Sequence, residues 1–260
     1  MTEALKHHWP EYLIEAVSLG VFMISAFSFA TLLEHPSSPV HQAIANPTLR
    51  RFLMGLAMGS TAIAIIYSPW GQQSGAHINP STTLTFFWLG KIPIWDTVFY
   101  VAGQFLGGTA GALGVSFLLH PRAAHASINY VVTMPGAWGS PGAFAAEIII
   151  TFVLMMVVLH VSNHSKLHKF TGLCAGGLVA AYITIEAPVS GMSMNPARSF
   201  ASAFAGNSWS SLWVYFTAPL IGMLAAAEVY VRRTDLSHVS CAKLHHDNAK
   251  RCIFCGKPAT

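Results

Sequence analysis

A chain of 260 residues that is 53% hydrophobic and only 9% charged lies far below the roughly one-quarter charged share of a soluble domain, which excludes an ordinary soluble globular protein. The formal net charge of +4 calls for no nucleic acid, because much of the basic excess flanks apolar blocks, where anionic lipid is the natural counter-charge.

Six blocks are long enough to cross a hydrocarbon core, which takes about 20 mostly apolar residues in a helix. They read as spans over about 12–33, 51–69, 96–119, 143–162, 170–188 and 211–231. The N-terminus lacks, in sequence, the basic stretch, short apolar core and small-residue cleavage site of a signal peptide, so the first block is expected to be a retained helix. An even number of spans puts both termini on one face. That face then holds ten basic residues, Lys6, Lys91, Lys166, Lys169, Arg232, Arg233, Lys243, Lys250, Arg251 and Lys257, against Arg50, Arg51, Arg122 and Arg198 opposite. The bias predicts cytoplasmic termini.

Between spans two and three residues 74–81 read SGAHINPS, and between spans five and six residues 190–197 read SGMSMNPA. Asn is a good N-cap, Pro fits the first helical position, and Gly favours the position past a helix end. Each stretch therefore predicts a capped helix of about ten residues, from Asn79 to Gly90 and from Asn195 to Gly206, rising about 15 Å, half of a hydrocarbon core. Open helix ends are tolerated in a membrane only where protein buries them or a watery cavity receives them. With three spans per half, the halves are inverted, and the half-helices meet near the midplane. A third Asn-Pro, Asn46-Pro47, is followed by Arg50 and Arg51 and reads as an ordinary cap at the membrane surface. The fold class expected is an all-α membrane protein of six transmembrane helices and two re-entrant half-helices. Its expected parts are an N-terminal segment 1–11, a channel 12–232 with repeats over about 12–119 and 143–232, and a tail 233–260.

Two helix N-termini aimed at one spot bring roughly half a positive charge each. The Asn79 and Asn195 amides add N–H donors for a passing oxygen, so water is welcomed, cations are repelled and a continuous proton wire is disfavoured. Glu15 and Glu147 are acids inside spans one and four, at equivalent places in the two halves, and each must be paired or face a cavity. Gly103, Gly107, Gly108, Gly111 and Gly114 in span three, and Gly172, Gly176 and Gly177 in span five, read as helix-packing positions, and Cys174 as a small packing residue.

This arrangement, with SGAHINPS and MNPARS at those places, resembles the aquaporin family, also called the major intrinsic proteins, over about residues 10–232. Ser81 stands where the family usually has Ala. The resemblance implies a pore centre of Asn79, Pro80, Ser81, Asn195, Pro196 and Ala197. It also implies buried Glu15 and Glu147 accepting from the re-entrant backbone, with Gln104 and His77 as further supports. The family's spacing assigns a filter to Arg198, Met192, Ile183 and Gly59, in which Gly59 leaves the wall open and Ile183 replaces a water-specific His. Glu186, one turn beyond Ile183, either pairs with Arg198 at the mouth or faces water. The resemblance further implies a passive channel for water and small neutral solutes such as glycerol, urea or an uncharged metalloid hydroxide, no catalysis and no cofactor for transport, and a homotetramer in the bilayer.

The tail carries a separate signal. Cys241, His245, His246, Cys252 and Cys255 lie at spacings that suit a tetrahedral zinc ion, with three thiolates and either His245 or His246 as ligands. A secondary carrier with inverted repeats and broken helices, and a metal-sensing membrane protein, are the alternatives from other functional classes.

Overall fold

The computed structural model describes residues 1–259, and among them every regular element is helical. The first half runs α1 (Thr2–Glu34), α2 (Pro39–Ala43), α3 (Pro47–Tyr67), α4 (Pro69–Ser74), α5 (Pro80–Trp88) and α6 (Ile94–Leu118). The second runs α7 (Gly139–Ser162), α8 (Thr171–Ile185), α9 (Ala187–Ser190), α10 (Pro196–Gly206) and α11 (Leu212–Thr234). Helices α1, α3, α6, α7, α8 and α11 stand at the places of the six expected spans, and α5 and α10 at those of the half-helices. Apart from the short α2, the halves correspond element for element.

Capping chemistry sets the starts of the key helices. Asn79 and Asn195 are N-caps in extended backbone, each followed by Pro at the first helical position. Asn46 does the same for α3, where its Oδ1 accepts from the Thr48 and Leu49 amides at 2.9 and 3.1 Å, so the third Asn-Pro is an ordinary cap. At the far end of α10 the expectation fails in detail: Gly206 is the last helical residue, and Asn207 takes the left-handed φ of 47°. Asn tolerates that region because its short polar side chain bonds locally.

Two spans differ from their expected bounds. Helix α1 starts at Thr2, ten residues before the apolar block: Glu3, Lys6, His7 and His8 break up any apolar run there, yet the helix continues through them and buries Glu11 completely. Helix α8 stops at Ile185, before Pro188, and the chain bends at Glu186 into α9. Fifteen residues rise only about 22 Å, so α8 alone falls short of a 30 Å core.

The long helices pack in pairs, α1 on α6, α7 on α11, and α3 on α8, the last joining the two halves. Each half-helix is held by the opposite half, α5 against α11 and α10 against α6. Close approach depends on glycine where backbones nearly touch: a Cβ on Gly111 would lie 2.5 Å from the Gly20 carbonyl oxygen. Gly114 and Gly177 do not have the packing role expected of them, since among the described residues nothing lies within 4 Å of a Cβ built there. Leu106, Phe117 and Ile149 remain largely exposed on the outer surface of the bundle, where hydrocarbon is the matching solvent.

After α11 the chain turns back over the face where α1 starts and α3 ends. Ser240 donates to the Asn163 side chain from its backbone N–H at 2.8 Å, and Arg251 donates to both Glu11 carboxylate oxygens at 2.8 Å. The segment read from sequence as a separate tail is thus folded onto the helical bundle.

Candidate functional site: a paired pore centre

Both re-entrant loops are built by the same local rules. Helices α4 and α9 each end on a left-handed glycine, Gly75 at φ 101° and Gly191 at φ 79°. Beyond them Ala76 and Ile78, and again Met192 and Met194, hold positive φ between 43° and 56°. Such a conformation costs about 1–3 kcal/mol for each non-glycine residue and persists only where the surroundings over-determine it. The buried carboxylates do this.

Glu15 accepts from the His77 and Ile78 amides at 3.0 and 2.6 Å and from the Ser74 hydroxyl at 2.8 Å. Glu147 accepts from the Ser193 and Met194 amides and the Ser190 hydroxyl, all at 2.7 Å. Ser74 and Ser190 in turn accept from the Ala76 and Met192 amides at 3.1 Å. The Tyr100 and Tyr215 hydroxyls donate to the carbonyls of Ser74 and Ser190 at 2.7 and 2.6 Å. In the first half Gln104 adds a bond to Glu15 at 2.8 Å and one to Thr83 at 3.0 Å. Charge-assisted bonds of this kind contribute about 1.5–3 kcal/mol each, enough to offset the strained backbone.

The two loops then lock to one another. The Asn79 side-chain Nδ2 donates to the Met194 carbonyl, and the Asn195 Nδ2 donates to the Ile78 carbonyl, both at 2.7 Å. Each Asn oxygen accepts from its own half-helix, Asn79 from the Ser81 amide and Asn195 from the Ala197 and Arg198 amides. An amide NH2 carries two donors, so one N–H of each Asn is committed across the centre, and among the described residues the second has no protein partner. Pro80, Ser81, Pro196 and Ala197 are buried at the starts of the half-helices, where the small Ser81 and Ala197 side chains allow the close approach.

A single cavity of about 460 Å³ runs past both Asn residues. Ile183, Met192 and Arg198 line it together with Met58, Ile78 and Met194. Arg198 donates from Nη1 to the Val131 carbonyl at 2.9 Å, so its guanidinium is aimed by backbone. Gly59 is misplaced in the expected filter. It faces α8, where a Cβ would meet the Gly176 carbonyl at 2.5 Å and Ala180 Cβ at 3.0 Å, and the wall residue is its neighbour Met58. One step along a helix turns a side chain by about 100°, so a count wrong by one residue points at the wrong neighbour. Glu186 is 9% exposed with both carboxylate oxygens unpartnered, and among the described residues no ion pair joins it to Arg198.

His77 has a different setting from the one expected. Its Nδ1 lies 3.1 Å from Thr83 Oγ1 on the half-helix α5, as a loop support requires, but its Nε2 donates to the Ala242 carbonyl of the folded tail at 2.7 Å. Cys241, His246, Cys252 and Cys255 bring four ligand atoms within 4.8 Å of one another. His245 is left out of this group and sits edge-on to Tyr67 at 5.1 Å. The Cys241 and Cys252 sulfurs are 3.4 Å apart, and this hydrogen bond draws the Cys252 thiol well below the ordinary thiol range while it pushes Cys241 up.

Sequence reasoning passed over Ser74, Ser190, Tyr100, Tyr215 and Met58. The serines open both copies of the repeated stretch, a signal that was present, and each tyrosine sits in the long helix that follows a half-helix.

A model of the major intrinsic protein family matches residues 4–230. Aquaporin NIP2-2 of Zea mays is 36% identical over 186 residues, 71% of this chain and 61% of the relative. Aquaporin NIP1-2 of Arabidopsis thaliana is 36% identical over 191 residues, 70% of this chain and 64% of the relative. The matches thus span somewhat over three fifths of these relatives' own length. Among solved structures, the aquaglyceroporin from Plasmodium falciparum shares the fold, with a TM-score of 0.70 at 21% identity over 85% of this chain and 94% of that one. With five helices long and apolar enough to cross a bilayer, this integral membrane protein belongs to the major intrinsic protein family, a family of membrane channels and not of enzymes.

Proposed function

We propose that the chain is a passive channel for water and small uncharged solutes that blocks cations and protons. The observation that carries this reading is the pair of Asn amides, each clamped by the opposite loop at 2.7 Å, beside one cavity lined mainly by apolar side chains. Their remaining N–H donors and the two helix N-termini favour a neutral oxygen and disfavour a cation. Met58, Ile183 and Met192 form the apolar part of the filter, and Arg198 supplies its fixed charge. Apolar walls facing a guanidinium suit a solute with both C–H and O–H groups, so glycerol is the first solute to test beside water. Methionine is flexible, which makes the opening adjustable where Gly59 would have left it wide.

The same reading puts the face with both termini in the cytoplasm, on the Lys and Arg bias, surrounds the bundle with lipid, and assembles it as a homotetramer. Solute uptake by chelator-treated proteoliposomes tests it. A channel gives water and glycerol fluxes that rise linearly with the gradient, whereas saturation at millimolar glycerol means a carrier and absence of flux means neither.

A second site belongs to the reading. Tetrahedral zinc with ligands at about 2.3 Å separates its ligand atoms by about 3.8 Å. The Cys255 sulfur and His246 Nε2 are 3.8 Å apart, and the Cys241 and Cys252 sulfurs 3.4 Å. These four residues would hold one structural Zn2+, with transport itself needing no cofactor. Three thiolates and a divalent ion leave one net negative charge, which complements the ammonium of Lys243, only 1% exposed beside them. Metal analysis of protein purified without chelator is expected to give one zinc per chain, lost in Cys252→Ser.

A further inference from the structure

We propose that metal held by the tail closes the channel, with the loop between two of its ligands acting as the plug. This rests on the zinc reading of Cys241, His246, Cys252 and Cys255. Residues 242–245 join Cys241 to His246, and each of them engages the end of the channel. The Ala242 carbonyl accepts from His77 at 2.7 Å, and the Leu244 amide donates to the Gly75 carbonyl at 3.2 Å. Lys243 donates to the Gln72 carbonyl at 2.8 Å and also to the Arg251 carbonyl, while His245 rests on Tyr67.

Leu244 is the residue that does the closing. It is 7% exposed, belongs to the same apolar cluster as Ile65, Ile66 and Phe86, and lines the channel cavity itself. The other pair of ligands presents a second contact. Phe254, between Cys252 and Cys255, stacks on the His77 ring at 5.8 Å with an interplanar angle of 6° and packs on Tyr100 at 5.6 Å.

Both loops defined by the ligands therefore converge on His77, two residues before Asn79. The link between metal and pore is geometric. One ion tying four side chains fixes the relative position of two short loops that have no helix or strand of their own. Without that tie, only hydrogen bonds and side-chain packing hold the two loops on the bundle, and the conformational freedom that they regain works against their seating. All four ligands lie beyond residue 230, where the family match ends, so the device is an addition to the channel and not a part of its pore chemistry.

The test measures metal content and water permeability on the same full-length protein. Purified protein is loaded with Co2+ or Zn2+, reconstituted, and shrunk osmotically with and without a membrane-permeant chelator. The expected result is a thiolate-to-cobalt absorption band at one ion per chain and, on chelation, a rise in water permeability of roughly tenfold, as when a plug passes from mostly seated to mostly released. Leu244→Ser is expected to keep the band yet to be open in the loaded state. Bound metal with permeability unchanged by chelation would overturn the gate and leave the metal site standing. Protein that never takes up the metal would overturn both. A loaded Leu244→Ser protein as closed as loaded wild type would overturn the plug in particular.

Discussion

Met58 and Gly59 are adjacent and do opposite things. Gly59 lets α3 and α8 touch, and a methyl group there would meet the Gly176 carbonyl at 2.5 Å. Gly59→Ala is therefore expected to lower stability by about 1–3 kcal/mol through overpacking, seen as a lower melting temperature with an unchanged ratio of glycerol to water flux. Met58→Ala removes a side chain from the channel wall and is expected to raise that ratio severalfold. If Gly59→Ala shifts selectivity and Met58→Ala does not, the filter is assigned wrongly. Arg198 is expected to act against charge: Arg198→Ala combined with Asn195→Ala removes the fixed guanidinium and one orienting amide. A pH-sensitive dye sealed in vesicles is then expected to report proton entry that wild type lacks, and a folded, proton-tight double variant would count against this mechanism.

At the scale of elements, each re-entrant loop is a strained turn held by a carboxylate. In Glu147→Gln one oxygen becomes an NH2 donor facing an amide N–H, so charge-assisted bonds at 2.7 Å are lost or inverted. A loss of about 3 kcal/mol or more is expected from two such bonds, against about 1 kcal/mol for Tyr215→Phe, which gives up one neutral bond to the Ser190 carbonyl. Denaturation in detergent checks the order, and equal effects would mean that Glu147 does not carry the loop.

The spans, both half-helices and the two acids were legible in the sequence because each follows from a local rule: apolar length, an Asn-Pro cap, or a charge inside an apolar run. Rotation about a helix axis was not legible at one-residue precision, which is why Gly59 stood in for Met58. Long-range closure was hidden as well. The zinc-ligand spacing could be read in residues 241–255, but no local rule says that the Ala242 carbonyl meets His77, 165 positions away.

At the scale of the whole molecule, two inverted halves exchange half-helices, so that α5 rests on the second half and α10 on the first. The pore centre exists only when both halves are in place, and Asn79 and Asn195 are cross-clamped to carbonyls 115 and 117 residues distant. On the proposed reading, such an arrangement would pass a neutral molecule without rearranging the bundle. The most direct measurement is osmotic water permeability and proton conductance recorded on the same chelator-treated proteoliposomes over a range of temperature. Rapid water flux is expected, with the weak temperature dependence of movement through a preformed channel, together with a proton conductance no greater than that of empty vesicles. Water flux that depends on temperature as strongly as leakage through lipid, or protons that pass in step with water, would contradict it.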